Sequence, residues 1–185
     1  MIKEGQSNER LKYRMYGLVP YNLSPIQQAI QFGHGVQEYN NKMFEELFKD
    51  KLKKDYKKHP LFYPFHKWAN EDKTFIILNG GTTNKEPDIV TGEPKGTLNQ
   101  NLLSLSINGV DVACFYEPDL GDQLTAIVFL VDERVWNKEK YPDFTPTNGL
   151  IRDITRQPFY KDWVSSIGGD KNAWLRSFLI QFRLA

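Results

Sequence analysis

Leu11–Tyr39, LKYRMYGLVPYNLSPIQQAIQFGHGVQEY, decides the fold, because it reads as a strand, a short turn and a helix in immediate succession. Leu11–Val19 has the aromatic and β-favouring content of a strand, and Pro20–Leu23 turns the chain. Ser24 is a good N-cap, Pro25 suits the first helical position, and Gln27 sits where a capping-box side chain reaches back to the cap. At helical spacing Ile26, Ala29, Ile30, Gly33 and Val36 form an apolar stripe expected to pack. Gln27, Gln31, His34 and Glu38 form a second stripe, of amides, an imidazole and a carboxylate, in place of the lysines and glutamates of an ordinary exposed face. Gly33 and Gly35 each cost about 1 kcal/mol of helix propensity relative to alanine. That cost implies close approach, of the sheet at Gly33 and of a ligand at Gly35.

The rest of the chain extends this opening into an α/β protein. Lys73–Asn79 and Thr125–Val131 are apolar without alternation, as strands covered on both faces are, and Val110–Tyr116 is a further strand. Thr97 opens a helix that closes at Asn108-Gly109. The expected architecture is a three-layer α/β/α sandwich around a mixed, roughly four-stranded sheet. It reads as one domain over 11–185, with insertions at about 45–65 and 80–96, a helical C-terminal extension at 150–185, and a loose N-terminus at 1–10. The aromatic face of the last helix, with Trp174 and Phe178, covers the sheet or forms a homodimer interface.

Twenty-four basic and 23 acidic side chains nearly cancel, so an anionic partner must be met by a local patch. Lys49–Lys58, KDKLKKDYKK, is either a solvated helix face or such a patch, with Lys53, Lys54, Lys57 and Lys58 contacting phosphates. GGTTNK at 80–85 lacks the spacing of a phosphate-binding P-loop and reads as a surface excursion. Three scattered histidines and one cysteine give no metal-ligand spacing, so neither metal nor cofactor is expected. The lone Cys114 lies in an apolar run and reads as a buried small hydrophobe. No signal-like or membrane-spanning segment stands out, and the chain reads as cytoplasmic.

A second polar cluster, Glu117, Asp119 and Asp122, lies in a loop between two strands, and Thr125 begins the second of them. Were these brought to the key helix, carboxylates and a hydroxyl would converge on Gln31 and His34, and a carboxylate-oriented imidazole is a general-base arrangement.

The helix run S-P-I-Q-Q-A-I-Q-F-G-H-G resembles the G-K-I-A-A-Q-C-x-H-A helix of type II peptidyl-tRNA hydrolases, with Gln27 at the lysine position, Gln31 at the glutamine and His34 at the histidine. Trp68, Lys73–Asn79, Thr97–Gly109, Glu117–Leu124 and Thr125–Val131 follow in that family's order, so the likeness spans roughly 11–131. E-P-D-L-G-D-Q-L-T-A replaces the family's D-x-G-R-T loop, which removes its arginine and leaves Glu117 or Asp119 to stand for the aspartate. The resemblance implies hydrolysis of the ester joining a peptide, or an N-blocked aminoacyl group, to tRNA. His34 would activate water, Glu117 or Asp119 would orient it, Gln31 and Thr125 would bind near the ester, and Gln27 would face substrate. Loss of two basic positions favours the alternative, a catalytically silent module of the same fold binding tRNA, a nucleotide or a protein, whereas retention of Gln31, His34 and the acidic loop favours the enzyme.

Overall fold

Both faces of the strand Tyr13–Pro20 (β1) are buried, and the residues that cover them define the layers. On one face Gly17 leaves room for the ring of Phe32: a Cβ at Gly17 would lie 2.2 Å from it. Phe32 belongs to the long helix Pro25–Lys49 (α1). On the other face Leu18 and Gly80 meet Leu98 of the helix Thr97–Ile107 (α3). The computed structural model, which describes residues 11–49, 60–147, 149 and 151–185, is thus an α/β fold with helices on both sides of a mixed sheet.

The sheet has four strands in the order β2-β1-β4-β3, where β2 is Thr74–Gly81, β3 is Val112–Glu117 and β4 is Gln123–Asp132. β1 and β2 run parallel, from Arg14 opposite Thr74 to Leu18 opposite Leu78. Their register shifts between Val19 and Pro20, where proline has no N–H to give the ladder. β3 and β4 run antiparallel, and a register shift between Phe115 and Tyr116 skips Thr125. Before β2 the chain makes a short helix, Phe62–Lys67 (α2), that widens into a π-turn at Trp68–Asp72. Trp68 anchors it, with its indole N–H on the Thr74 carbonyl at 3.1 Å and its ring edge-on to Phe75.

Two readings of α1 are corrected. The buried face is Gln28, Gln31, Phe32, Gly35, Tyr39 and Met43, whereas Ile26 is 75% exposed and Ile30 50%. The larger side chains decide this: Phe32, Tyr39 and Met43 continue over three turns, while the isoleucine stripe runs out after two. The glycines exchange roles as well. A Cβ at Gly35 would sit 2.6 Å from Val128 Cγ2 and 3.0 Å from Ala126 Cβ, so Gly35 is where helix and sheet touch; at Gly33 nothing lies within 4 Å.

The chain divides into two compact units, 12–131 with 182–185, and Asp132–Gln181 together with Leu11, where the sequence suggests one domain with an extension from 150. In the larger unit, Phe182–Ala185 returns to the outer edge of β2: Leu184 bridges Leu78, Asn79 N–H donates to the Arg183 carbonyl at 2.9 Å, and Ala185 N–H donates to that of Ile77 at 3.0 Å. The smaller unit holds Glu133–Trp136 (α4), Tyr160–Ser166 (α5) and Asp170–Leu179 (α6). Val164, Ile167 and Ala173 form its core, with Tyr141, Tyr160 and Trp163 packed against them. Buried Arg176 donates to the carbonyls of Arg134 and Tyr141 and to Asp143 at 2.7 Å. Phe178 is buried and Trp163 and Trp174 are half-buried, so these aromatics present no broad exposed face. Among the described residues no helix is long and apolar enough to cross a membrane.

Candidate functional site

Gln31 is the centre of the site because α1 turns it toward the sheet, where its amide has a partner on each side. Its Nε2 donates to Glu117 Oε2 at 2.6 Å, and its Oε1 accepts from the Thr125 hydroxyl at 2.6 Å. A carboxylate only accepts, so Glu117 fixes which end of the amide is nitrogen, and Thr125 must then be the donor. The chain of three is unambiguous in direction. It also joins three elements, α1, β3 and β4, across 86 and 94 residues of sequence.

The irregularity of the β3–β4 pair explains why Thr125 takes part. Phe115 faces Ala126 and Tyr116 faces Leu124, leaving Thr125 as the extra residue of a bulge, and such residues re-aim side chains. Thr125 is completely buried and Glu117 half-buried, so the hydroxyl positions the amide while the carboxylate remains open to solvent on one side. The charge-assisted Gln31–Glu117 bond is the stronger link, about 1.5–3 kcal/mol against about 1 for the neutral one.

His34 lies three residues further along α1 and is exposed. Its ring stacks on Phe115, centroids 4.5 Å apart and planes 19° from parallel. The carboxylate-oriented imidazole expected from sequence is therefore replaced by an aromatic platform: Glu117, two residues beyond Phe115, spends its bond on Gln31. Asp119 and Asp122 are exposed in the turn and make no side-chain hydrogen bond among the described residues. Gln27 does not join the cluster. It closes the capping box, its Oε1 accepting from Ser24 N–H at 3.1 Å and its own N–H donating to Ser24 Oγ at 3.3 Å. Lys53, Lys54, Lys57 and Lys58 lie outside the described residues.

Sequence reasoning passed over three neighbours. Phe115 could have been found as the position two residues before Glu117, on the same side of the strand. Gln123, opposite Glu117, has a buried Oε1 without a hydrogen-bond partner among the described residues, which no pattern announces. Lys85 donates to the Gly121 carbonyl of the β3–β4 turn at 2.7 Å across 36 residues, a contact invisible in a loop read as a surface excursion.

Further along α1, Asp111 accepts from Tyr39 at 3.2 Å and from Lys42 at 2.5 Å, and Lys42 also caps the Val112 carbonyl at 2.9 Å. This pins the helix to β3. Burial pushes the neighbouring Cys114 thiol up to about 11, against a smaller downward pull from Lys42, so at neutral pH it is no nucleophile. Among the described residues no group of three or more His, Cys, Asp or Glu side chains is placed to hold a metal ion. Comparisons with protein-family models, with curated proteins and with solved structures find no match.

Proposed function

We propose that this corner hydrolyses the ester between a peptide, or an N-blocked aminoacyl group, and the 3′ end of tRNA, as a divergent protein of the type II peptidyl-tRNA hydrolase kind. The observation that carries the reading is the Gln31 amide held between Glu117 and Thr125. Such a triad supplies an ordered carboxylate, and in this reading it acts together with the exposed imidazole of His34, three residues further along the same helix, to activate water. Water gives its proton to His34 and adds to the ester carbonyl. The tetrahedral intermediate then expels the ribose 3′ oxygen, which takes the proton back from the imidazole, yielding a free acid and a free hydroxyl. Glu117 accepts a hydrogen bond from the attacking water. The second N–H of the Gln31 amide is the donor for the developing oxyanion.

A second reading, binding without turnover, draws on two observations: Gln27 is committed to the helix cap, and His34 rests on Phe115 with no carboxylate partner among the described residues. Single-turnover release of the acyl group from N-acetyl-aminoacyl-tRNA separates the two. On the hydrolase reading wild type releases it, while His34→Ala and Glu117→Gln slow release by about 10²-fold or more without loss of folding. An inert wild type that retains tRNA binding selects the second reading.

A further inference from the structure

We propose that Lys85 is the cation that receives a phosphate of the substrate at this corner, so that the excursion at 80–96 is part of the site. The inference rests on the ester-hydrolase reading only for the identity of the anion. The β3–β4 turn carries Glu117, Asp119 and Asp122, and Gln27 is neutral, so a polyanion approaching Gln31 meets net negative charge unless a cation is brought in from elsewhere. Lys85 is brought in. Its ammonium holds the Gly121 carbonyl at 2.7 Å, its side chain is exposed, and among the described residues no carboxylate pairs with it. By contrast Lys42 is paired with Asp111 and Lys95 with Glu86. A carbonyl takes one of three ammonium hydrogens and none of the charge.

The excursion places this lysine firmly. Thr82 N–H donates to Thr97 Oγ1 at 2.9 Å, Asn84 N–H to Asn99 Oδ1 at 3.0 Å, and Gly96 N–H to the Asn84 carbonyl at 2.9 Å. Glu86 N–H donates to Asn84 Oδ1 at 2.9 Å, so the backbone is tied on both sides of Lys85. Gly96 is required here, since a Cβ would lie 2.2 Å from the Asn84 nitrogen. The competing place for an anion, the N-terminus of α3, is already occupied: Leu98 N–H donates to the Thr82 carbonyl at 2.9 Å and Thr97 N–H to Thr82 Oγ1 at 3.4 Å. The loop thus closes the helix end and points its lysine at the acidic turn.

The test compares wild type with Lys85→Gln, which keeps a donor but loses the charge, and Lys85→Arg, which keeps both. Equilibrium binding of deacylated tRNA is measured across a salt series. Lys85→Gln is expected to weaken binding about fivefold to tenfold at low salt and to flatten the slope of log K against log salt by about 0.7, with Lys85→Arg close to wild type. Where turnover is present, kcat/KM for N-acetyl-aminoacyl-tRNA relative to the phosphate-free N-acetyl-aminoacyl-adenosine falls by a similar factor. A merely structural lysine would lower both substrates alike. Unchanged affinity and slope in Lys85→Gln, or no binding of tRNA by wild type, overturns the inference. A wild type that binds through Lys85 but hydrolyses neither ester sinks the hydrolase reading and leaves this one standing.

Discussion

Thr125 shows how one hydroxyl can set the chemistry of residues far from it in sequence. Its side chain is wholly buried and its hydrogen is committed to Gln31, so Thr125→Val leaves the Gln31 oxygen unsatisfied beneath the helix. The expected cost is about 1–2 kcal/mol in urea unfolding, with Thr125→Ser close to wild type. Under the proposed chemistry Thr125→Val also lowers acyl release, because an amide free to rotate no longer holds Glu117. Cys114 gives a second test at this scale. Its thiol is raised by burial from an ordinary 9.0 to about 11 in the folded chain. At pH 8 alkylation should therefore run roughly two orders of magnitude slower than in the urea-unfolded protein. The linkage follows in sign: between pH 9.0 and about 11 the unfolded thiol ionises first, so the unfolded state holds fewer protons and stability falls as pH rises. Cys114→Ala should remove that part of the alkaline decline, and an unaltered decline would refute the assignment.

At the scale of the element, α1 turns on the difference between its two glycines. Gly35→Ala pushes a methyl into Val128 and Ala126 and should lose about 1–3 kcal/mol, while Gly33→Ala, in open space, should gain up to about 1 kcal/mol from helix propensity. Equal effects on the midpoint of urea unfolding would show that the helix seats differently. This pair also marks what was legible in the sequence. Strand, turn, cap and helix at 11–49 could be read because each depends on neighbours a few residues apart: Ser24 and Gln27 form the capping box that their spacing announces. The convergence of Gln31, Glu117 and Thr125 could be anticipated from the order of elements. The rotation of α1 could not, since Ile26 and Ile30 outrank Gln28 and Gln31 on any hydropathy scale. Only the small residues Gly17 and Ala126 on the facing strands say which side fits. The surroundings of His34 were no more legible: Phe115, whose ring stacks on the imidazole, comes from a strand 81 residues away, and nothing in the local pattern of α1 announces it.

At the scale of the whole molecule, the chain leaves the sheet unit after Val131 and re-enters it at Phe182, so that unit is completed only when the intervening 132–181 segment has been made. Local patterns see the helices of that segment but not the return, and for that reason the sequence reads as a domain with an extension. The return matters because β2 is the outermost strand beside β1, and an open edge presents unpaired N–H and C=O groups to other chains. Arg183, Leu184 and Ala185 cover part of it, at Ile77, Leu78 and Asn79. Ala185→Pro removes the N–H that the Ile77 carbonyl accepts, and the neighbouring Asn79–Arg183 bond should fray with it. Hydrogen exchange at the Asn79 amide is then expected to speed by about tenfold or more, as one bond of roughly 1.4 kcal/mol ceases to hold it. The Ile76 and Leu78 amides report the sheet itself and should stay protected to within about twofold. If Asn79 exchanges as slowly as in wild type, the four-residue return is not what guards this edge.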